Sequence, residues 1–390
     1  MTGAYTSIIN SIYLDNHAST PMDPRVMEAM EPFYYLQAAN PHSGDHALGW
    51  EASKAVAGAA FQIAQTIGSD SDEIIFTSGA TEANNMAILG LLGSATPERR
   101  RILVSAIEHK SVLAASMAAV RRGLIVERIP VDEQGVVDLQ KLVSILSEDV
   151  LLVSVMAVNN EIGSIQPLRE IGRATKAVGA LFHTDASQAL VTDAIDVWNI
   201  GADLLSLSAH KIYGPKGIGC IYINRNLHSQ IEPLMFGGDQ QEGIRPGTIP
   251  VPLCVGFGAA VSLLARPEFQ DEKHRIRRLR DLLVEQLLSL RPDICLNGPP
   301  LGQRHPGNAS VQFGALDARE ILTAAQPALA ASTGSACTSG IPEPSHVLRA
   351  IGLSHSQAEA TVRFGLGRFN TESDVDLAVE TIAGVLERLL

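Results

Sequence analysis

Short apolar runs alternate with amphipathic stretches through the first two-thirds of this chain. Glu51 to Ile67 places Ala52, Val56, Ala59 and Ile63 on one face at helical spacing, which predicts a helix. Glu73-Ile74-Ile75-Phe76-Thr77 reads as a strand, and Ser78-Gly79-Ala80-Thr81-Glu82 then turns the chain into a helix over Ala83 to Leu92. Arg101 to Ser105 is the next strand, followed by a helix from about Lys110 to Arg121. Leu151 to Val158 and Ala180 to Thr184 are further strands, separated by a helix around Leu168 to Ala177, and Asp203 to Leu207 closes the series. These strands are apolar along their length rather than at every second position. Such strands are covered on both faces, which implies a mainly parallel α/β sheet wrapped by helices.

After about Pro252 the pattern changes. A long helical tract (Val255 to Ala265, then Asp271 to Leu290) leads to shorter strands such as Ala309 to Phe313. A last helix over Asp374 to Leu390 carries Val375, Val379, Ile382, Leu386 and Leu389 on one face. A chain of 390 residues exceeds one comfortable core, so two domains are expected. The predicted division is a large domain over 14–255 and a smaller α+β domain from 1–13 and 256–390.

The net charge of -12 argues against direct nucleic-acid binding or attachment to an anionic membrane surface. Met1 to Tyr13 lacks a charged start, a long apolar stretch and a cleavage site, so no signal peptide is expected, and no apolar run is long enough to span a membrane. Cys220, Cys254, Cys295 and Cys337 are widely spaced without metal-ligand spacing. That usage predicts a reducing, cytoplasmic setting and no metal.

The candidate chemistry sits at strand ends. Lys211 closes the strand Asp203 to Leu207 through Ser208-Ala209-His210. A desolvated lysine there can carry an aldehyde cofactor as a Schiff base, though an ordinary surface lysine fits the dipeptide equally. Asp185 ends another strand with Gln188 three residues on. Its carboxylate suits a protonated pyridine nitrogen, or simply caps a turn. His109 ends a third strand, either as a ring-stacking proton carrier or as a satisfied core histidine. Ser78 to Glu82 offers helix N-terminal amides and the Thr81 hydroxyl to a phosphate, or is only a capped helix start; it is neither a GxxxxGK[ST] loop nor a GxGxxG motif. Asn159-Asn160 follows the most apolar strand, and Arg363 sits inside an apolar strand, where a guanidinium needs either a ligand carboxylate or an internal partner. Cys337 stands in Ser335-Ala336-Cys337-Thr338-Ser339-Gly340, small residues that suit an accessible nucleophilic thiol on a mobile loop.

Taken in order, from Tyr13-Leu14-Asp15-Asn16-His17-Ala18-Ser19-Thr20 to Arg363-Phe364-Gly365-Leu366-Gly367-Arg368-Phe369, these motifs resemble the cysteine desulfurases of the nitrogen-fixation and iron–sulfur-cluster type. These belong to the class V aminotransferases. Asn40-Pro41-His42-Ser43 to Gly49-Trp50-Glu51 matches as well. The resemblance implies the fold-type-I, aspartate-aminotransferase-like architecture, with a mainly parallel seven-stranded sheet in the large domain. It implies pyridoxal 5'-phosphate as cofactor, with Lys211 as the Schiff-base lysine, Asp185 at the pyridinium, Gln188 at the phenolate oxygen and His109 stacked on the ring. Ala80, Thr81, Ser208 and His210 would hold the phosphate. Thr248 would reach the phosphate of a neighbouring subunit, which implies a homodimer with shared active sites. Asn160, also at the cofactor, and Arg363 would grip the carboxylate of L-cysteine, and Cys337 would take the sulfur as a persulfide.

The resemblance further implies that Lys211 moves the α-proton, that His109 relays protons, and that the persulfide passes to a sulfur-acceptor protein, either a cluster scaffold or a thiolation enzyme. The stretch from Cys337 to His346 resembles the branch with a long catalytic loop. Asp239 replaces the family's usual third glycine, and Glu242 stands where an arginine is usual. The chain ends at Leu390, directly after its last helical pattern, where housekeeping members carry a tail that docks the scaffold. A selenocysteine lyase, another aminotransferase or lyase on the same fold, and a non-catalytic binding platform are the alternatives. The last is disfavoured by retention of both Lys211 and Cys337.

Overall fold

Strands β1 (Ile12–Tyr13), β2 (Ile74–Thr77), β3 (Arg101–Ser105), β4 (Ile125–Ile129), β5 (Val150–Ser154), β6 (Leu181–Asp185), β7 (Leu204–Ser208) and β8 (Gly219–Ile223) are followed by β9 (Ile294–Leu296), β10 (Asn308–Phe313), β11 (Leu329–Ala330) and β12 (Thr361–Gly365) in a computed structural model that describes residues 11–192, 195–334 and 344–389. Seven of them form one sheet in the order β2-β8-β7-β6-β5-β3-β4. β7, β6, β5, β3 and β4 run parallel, while β8 is antiparallel to both β2 and β7. The carboxyl ends of β2, β3, β5, β6 and β7 therefore share one edge, and the turn entering β8 meets it there.

β5 (Val-Leu-Leu-Val-Ser) and β7 (Leu-Leu-Ser-Leu-Ser) are buried at every position, which accounts for their unbroken apolar character. Two strands of this sheet escape the sequence reading. β4 carries Glu127 and Arg128, and its place at the sheet edge tolerates them; Glu127 pairs with Arg101 of β3 at 2.6 Å. β8 inserts between strands distant in sequence. Its run Cys220-Ile221-Tyr222-Ile223 is continuous and apolar, a signal present but short.

The helix Ala47–Ile67 packs along the helix Val251–Leu264, with Ala59, Ile63, Phe257 and Val261 in the shared core. The boundary expected near residue 255 falls inside Val251–Leu264, which belongs to the large unit throughout, and that core extends to Phe269. A separate core joins the antiparallel sheet β12-β10-β9 to the helices Glu268–Leu290 and Glu372–Leu389 through Leu279, Leu283, Val311, Phe364, Val375 and Ile382. β1 pairs in parallel with β11, and Leu14 is buried in this second core, so the first described residues belong to the smaller unit. The chain then runs as Asp15–Thr20 across to the large sheet. Among the described residues, no single helix is long and apolar enough to cross a membrane.

Candidate active site

At the shared carboxyl edge lies a cavity of about 470 Å³, the place where open α/β sheets take ligands. Its wall includes Ala80, Thr81, His109, Asn160, Asp185 and Gln188, together with Ser208, His210 and Lys211. The turn after β2 supplies one end. Gly79 adopts φ 150° and ψ 177°, a conformation reserved in practice for glycine, and caps the helix Ala80–Leu89 without a side-chain hydrogen bond. A Cβ on Gly79 would meet nothing within 4 Å, so the backbone there borders open space. The start of a ten-residue helix thus borders a cavity that Lys211 and Lys216 also line, an arrangement suited to an anion.

Lys211 enters from the short turn after β7. Its Nζ donates to the carbonyl oxygens of His17 at 2.5 Å and Ala18 at 2.9 Å. The chain leaves the site through Tyr213, a bulky residue at φ 67°. That conformation is held from several sides: Tyr213 N donates to Thr20 Oγ1 at 2.7 Å, the phenol oxygen accepts from Arg368 N at 2.7 Å, and the Arg368 guanidinium lies 4.2 Å from the ring centroid. His210 is next to Lys211, its Nδ1 3.2 Å from Ser19 Oγ; burial, then the charges of Lys211 and Lys216, push its pKa down to about 4. It is a neutral imidazole near neutral pH.

Asp185 closes β6 on the cavity floor and is 5 % exposed. Its Oδ1 accepts from Ser187 N at 3.0 Å and Ser187 Oγ at 2.6 Å, and its Oδ2 accepts from Asn84 Nδ2 at 2.7 Å. Asn84 Nδ2 also donates to Ser111 Oγ at 2.9 Å, and that hydroxyl lies 2.8 Å from His109 Nδ1. Ser111 N donates to the same Nδ1 at 3.2 Å, so His109 accepts there and carries its proton on Nε2. Burial holds its pKa below the ordinary value, and the charge of Lys211 acts in the same direction against Asp185. A continuous chain of hydrogen bonds thus joins the carboxylate to the imidazole. Asn84, Ser111, Ser187 and Lys216 carry no signal of their own in the sequence, although the last three lie close to His109, Asp185 and Lys211 along the chain.

The remaining expected residues are placed differently. Gln188 is clamped by His17: its Nε2 donates to His17 O at 3.0 Å, and its Oε1 is 3.3 Å from His17 Nδ1. Arg363 is not on the cavity wall; its Nη2 bonds Asp15 Oδ1 at 2.7 Å, and its Nη1 reaches Asn160 O at 3.4 Å. Thr248 is exposed and also stands apart from the lining residues. Glu242, the departure from the family pattern, pairs with His228 at 3.1 Å. Cys337 lies outside the described residues. Of the other cysteines, Cys220 and Cys254 are buried, with burial pushing the Cys254 thiol up to about 12 and Cys220 higher still, so neither is a ready nucleophile.

A phosphorylated aromatic aldehyde with a basic ring nitrogen needs an anion cradle, an amine, a buried carboxylate and a flat side chain. The open backbone at Gly79, Lys211, Asp185 and His109 supply these around one cavity, so the residues fit pyridoxal phosphate. The fold and site are those of a fold-type-I pyridoxal-phosphate-dependent protein. The chain belongs to the aminotransferase class-V family, whose model matches residues 12–378. It is 44 % identical over 378 residues to a protein of Rickettsia typhi named cysteine desulfurase IscS, covering 97 % of this chain and 92 % of that one. A solved NifS-like protein superposes with a TM-score of 0.89 at 33 % identity, covering 97 % of this chain and all of that one. SspA, solved in complex with cysteine, superposes at 0.80 with 35 % identity, covering 92 % and 99 %.

Proposed function

We propose that this chain is a cysteine desulfurase, converting L-cysteine to L-alanine and leaving the sulfur as a persulfide on Cys337. The observation that carries the reading is the convergence of Lys211, Asp185, His109 and the Gly79 turn on one cavity, in a family whose relatives are named for this activity. Bound pyridoxal phosphate supplies an electron sink that labilises the bonds at the substrate's α and β carbons.

Lys211 Nζ would hold the cofactor and would serve as the base for the substrate's α-proton. The backbone amides of Ala80 and Thr81, with Ser208 and His210, would hold the phosphate. Asp185 would hold the ring nitrogen protonated, and the bonds from Ser187 and Asn84 keep its carboxylate oriented. Gln188 would donate to the phenolate oxygen and His109 would stack on the ring, with its Nε2–H available to give a proton to departing groups. Asn160 and Arg363 receive the substrate carboxylate, with Asp15 as the guanidinium's resting counter-ion.

The Cys337 thiolate attacks the substrate sulfur and the carbon–sulfur bond breaks. The carbon gains a proton, so cysteine and one thiol give alanine and one persulfide with no external oxidant. The exposed Thr248 fits a contribution to a partner's phosphate site in a homodimer. A sulfur-acceptor protein, a cluster scaffold or a thiolation enzyme, would then remove the sulfur, and the cysteine usage fits work in the cytoplasm.

Intact mass spectrometry of the cofactor-loaded protein after L-cysteine, without reductant and beside Cys337→Ala, tests the reading. One added sulfur on Cys337, alanine release, and neither in the variant are expected. Bound cofactor with no added sulfur would move the assignment to another lyase or aminotransferase.

A further inference from the structure

Behind the wall formed by Lys211 and Gln188 is a second, much smaller cavity of about 20 Å³, which both residues also line. It lies between the two units: His17 borders it from the segment entering the large sheet, and His305 from the loop before β10. The two imidazoles meet edge to face with centroids 4.5 Å apart, and both are at least nine-tenths buried. Each has one nitrogen, Nε2, with no partner in the protein. Two orphaned ring nitrogens at one small cavity need an explanation, because an unpaired buried polar atom is costly.

Their protonation states follow from the bonds they do make. Gln188 Nε2 must face the carbonyl of His17, since a carbonyl only accepts, so Gln188 Oε1 faces His17 Nδ1 and requires a proton there. His17 Nε2 is then a bare acceptor. His305 Nδ1 accepts from Gly307 N at 3.0 Å, which leaves its proton on Nε2 as a donor. Both rings are neutral, because burial drives the pKa of each far below the ordinary value. One orphan is therefore an acceptor and the other a donor. The cavity has room for one water, for which roughly 10–15 Å³ is enough.

We propose that one water molecule is bound between Nε2 of His305 and Nε2 of His17, accepting from the first and donating to the second, and that the two histidines are positioning residues for Gln188. The bridge holds His17 in the tautomer whose Nδ1–H clamps the Gln188 amide, and so directs the remaining Gln188 N–H towards the main cavity. It also ties the smaller unit to that wall. The His305 loop is itself fixed, with Arg280 Nη1 donating to His305 O at 3.0 Å. The charged groups around the cavity are Lys211, Glu272 and Lys273, with Arg363 acting on His17 from β12. Glu272 is engaged by Arg368 at 2.9 Å.

The consequence for the cofactor rests on the function proposed above. An N–H aimed at the ring hydroxyl favours its deprotonated form, so loosening Gln188 raises the pH midpoint of the visible band of bound pyridoxal phosphate. Two measurements on the holoenzyme test this. A high-resolution crystal structure should show one ordered water within hydrogen-bond distance of both Nε2 atoms.

His305→Asn keeps an acceptor for Gly307 but cannot reach the water, and should raise the midpoint by about half to one pH unit, the worth of one modest hydrogen bond. His305→Gln restores a donor at the Nε2 position and should leave the midpoint near wild type. No water at that position, or equal midpoints in the two variants, overturns the proposal. Failure of the wild type to bind pyridoxal phosphate would instead overturn the function, while the water, sought in the same protein, would still stand or fall by itself.

Discussion

Replacing His183 with leucine should weaken the protein near neutral pH and remove one identifiable share of its sensitivity to acid. His183 is fully buried in β6, with Nδ1 2.8 Å from Ser154 Oγ on β5 and Nε2 3.0 Å from Ser206 Oγ on β7. Burial pushes its pKa down from 6.5 to about 4, against a weaker upward pull from Asp185. An unfolded chain takes up this proton near pH 6.5, whereas the folded chain resists until about pH 4. The stability contribution is therefore complete above the unfolded pKa and lost as pH falls through that window.

Between about pH 7.5 and about pH 5, a shift of this size removes roughly 2 kcal/mol. His183→Leu leaves two serine hydroxyls without their partner and should cost about 1–3 kcal/mol at the higher pH, but it carries no proton to take up. Denaturant unfolding of both proteins at the two pH values gives the difference of differences. The other histidines whose pKa burial lowers, His17, His109, His210 and His305, are present in both proteins and cancel. Equal acid losses in the two proteins would refute the argument.

Two further substitutions probe the frame of the site. Gly219→Ala would place a Cβ 2.7 Å from Gly79 Cα and against the carbonyl of Leu207, backbone on both sides, so about 1–3 kcal/mol of stability should be lost. Because the displaced residue opens the helix Ala80–Leu89, pyridoxal phosphate affinity measured by fluorescence titration should fall as well; unchanged affinity would contradict the close approach. Asp15→Ala strips a buried guanidinium of its carboxylate, since the Arg363 side chain is only 4 % exposed, and should cost about 3–5 kcal/mol in denaturant unfolding. Asp15→Asn keeps an acceptor and should fall between that variant and wild type.

How much the sequence discloses depends on whether a constraint is local. Asp185 ends an apolar strand and Lys211 and His109 stand in the turns just after two others, and the carboxyl ends of a parallel sheet converge, so their meeting could be anticipated without coordinates. β8 could not be placed that way: nothing local says that Gly219–Ile223 enters antiparallel between β2 and β7. Asn84 was hidden for a related reason. An asparagine inside a helix is unremarkable until Asp185, 101 residues away, is brought to 2.7 Å. The helix Val251–Leu264 is apolar nearly all round, and such a pattern does not say which core it fills.

The segment Asp15–Ala18 shows why the rest was illegible. The carboxylate of Asp15 neutralises Arg363, the carbonyls of His17 and Ala18 receive Lys211 Nζ, and the carbonyl and ring of His17 clamp Gln188. Four consecutive residues thus position three side chains drawn from the strand ends and from β12. Two of those three use main-chain carbonyls, which any residue type supplies, so composition cannot mark them. What confines the segment is its path: β1 anchors it to β11, and Asn16 N donates to Gly365 O at 3.1 Å, so its carbonyls arrive at the lysine at a fixed place. A substitution here acts through backbone position as much as through the side chain removed. For that reason the Asp15 variants need the stability measurement beside any kinetic one: a change in substrate binding without loss of stability would locate the effect at Arg363 alone, and a change in both would locate it in the path of the segment.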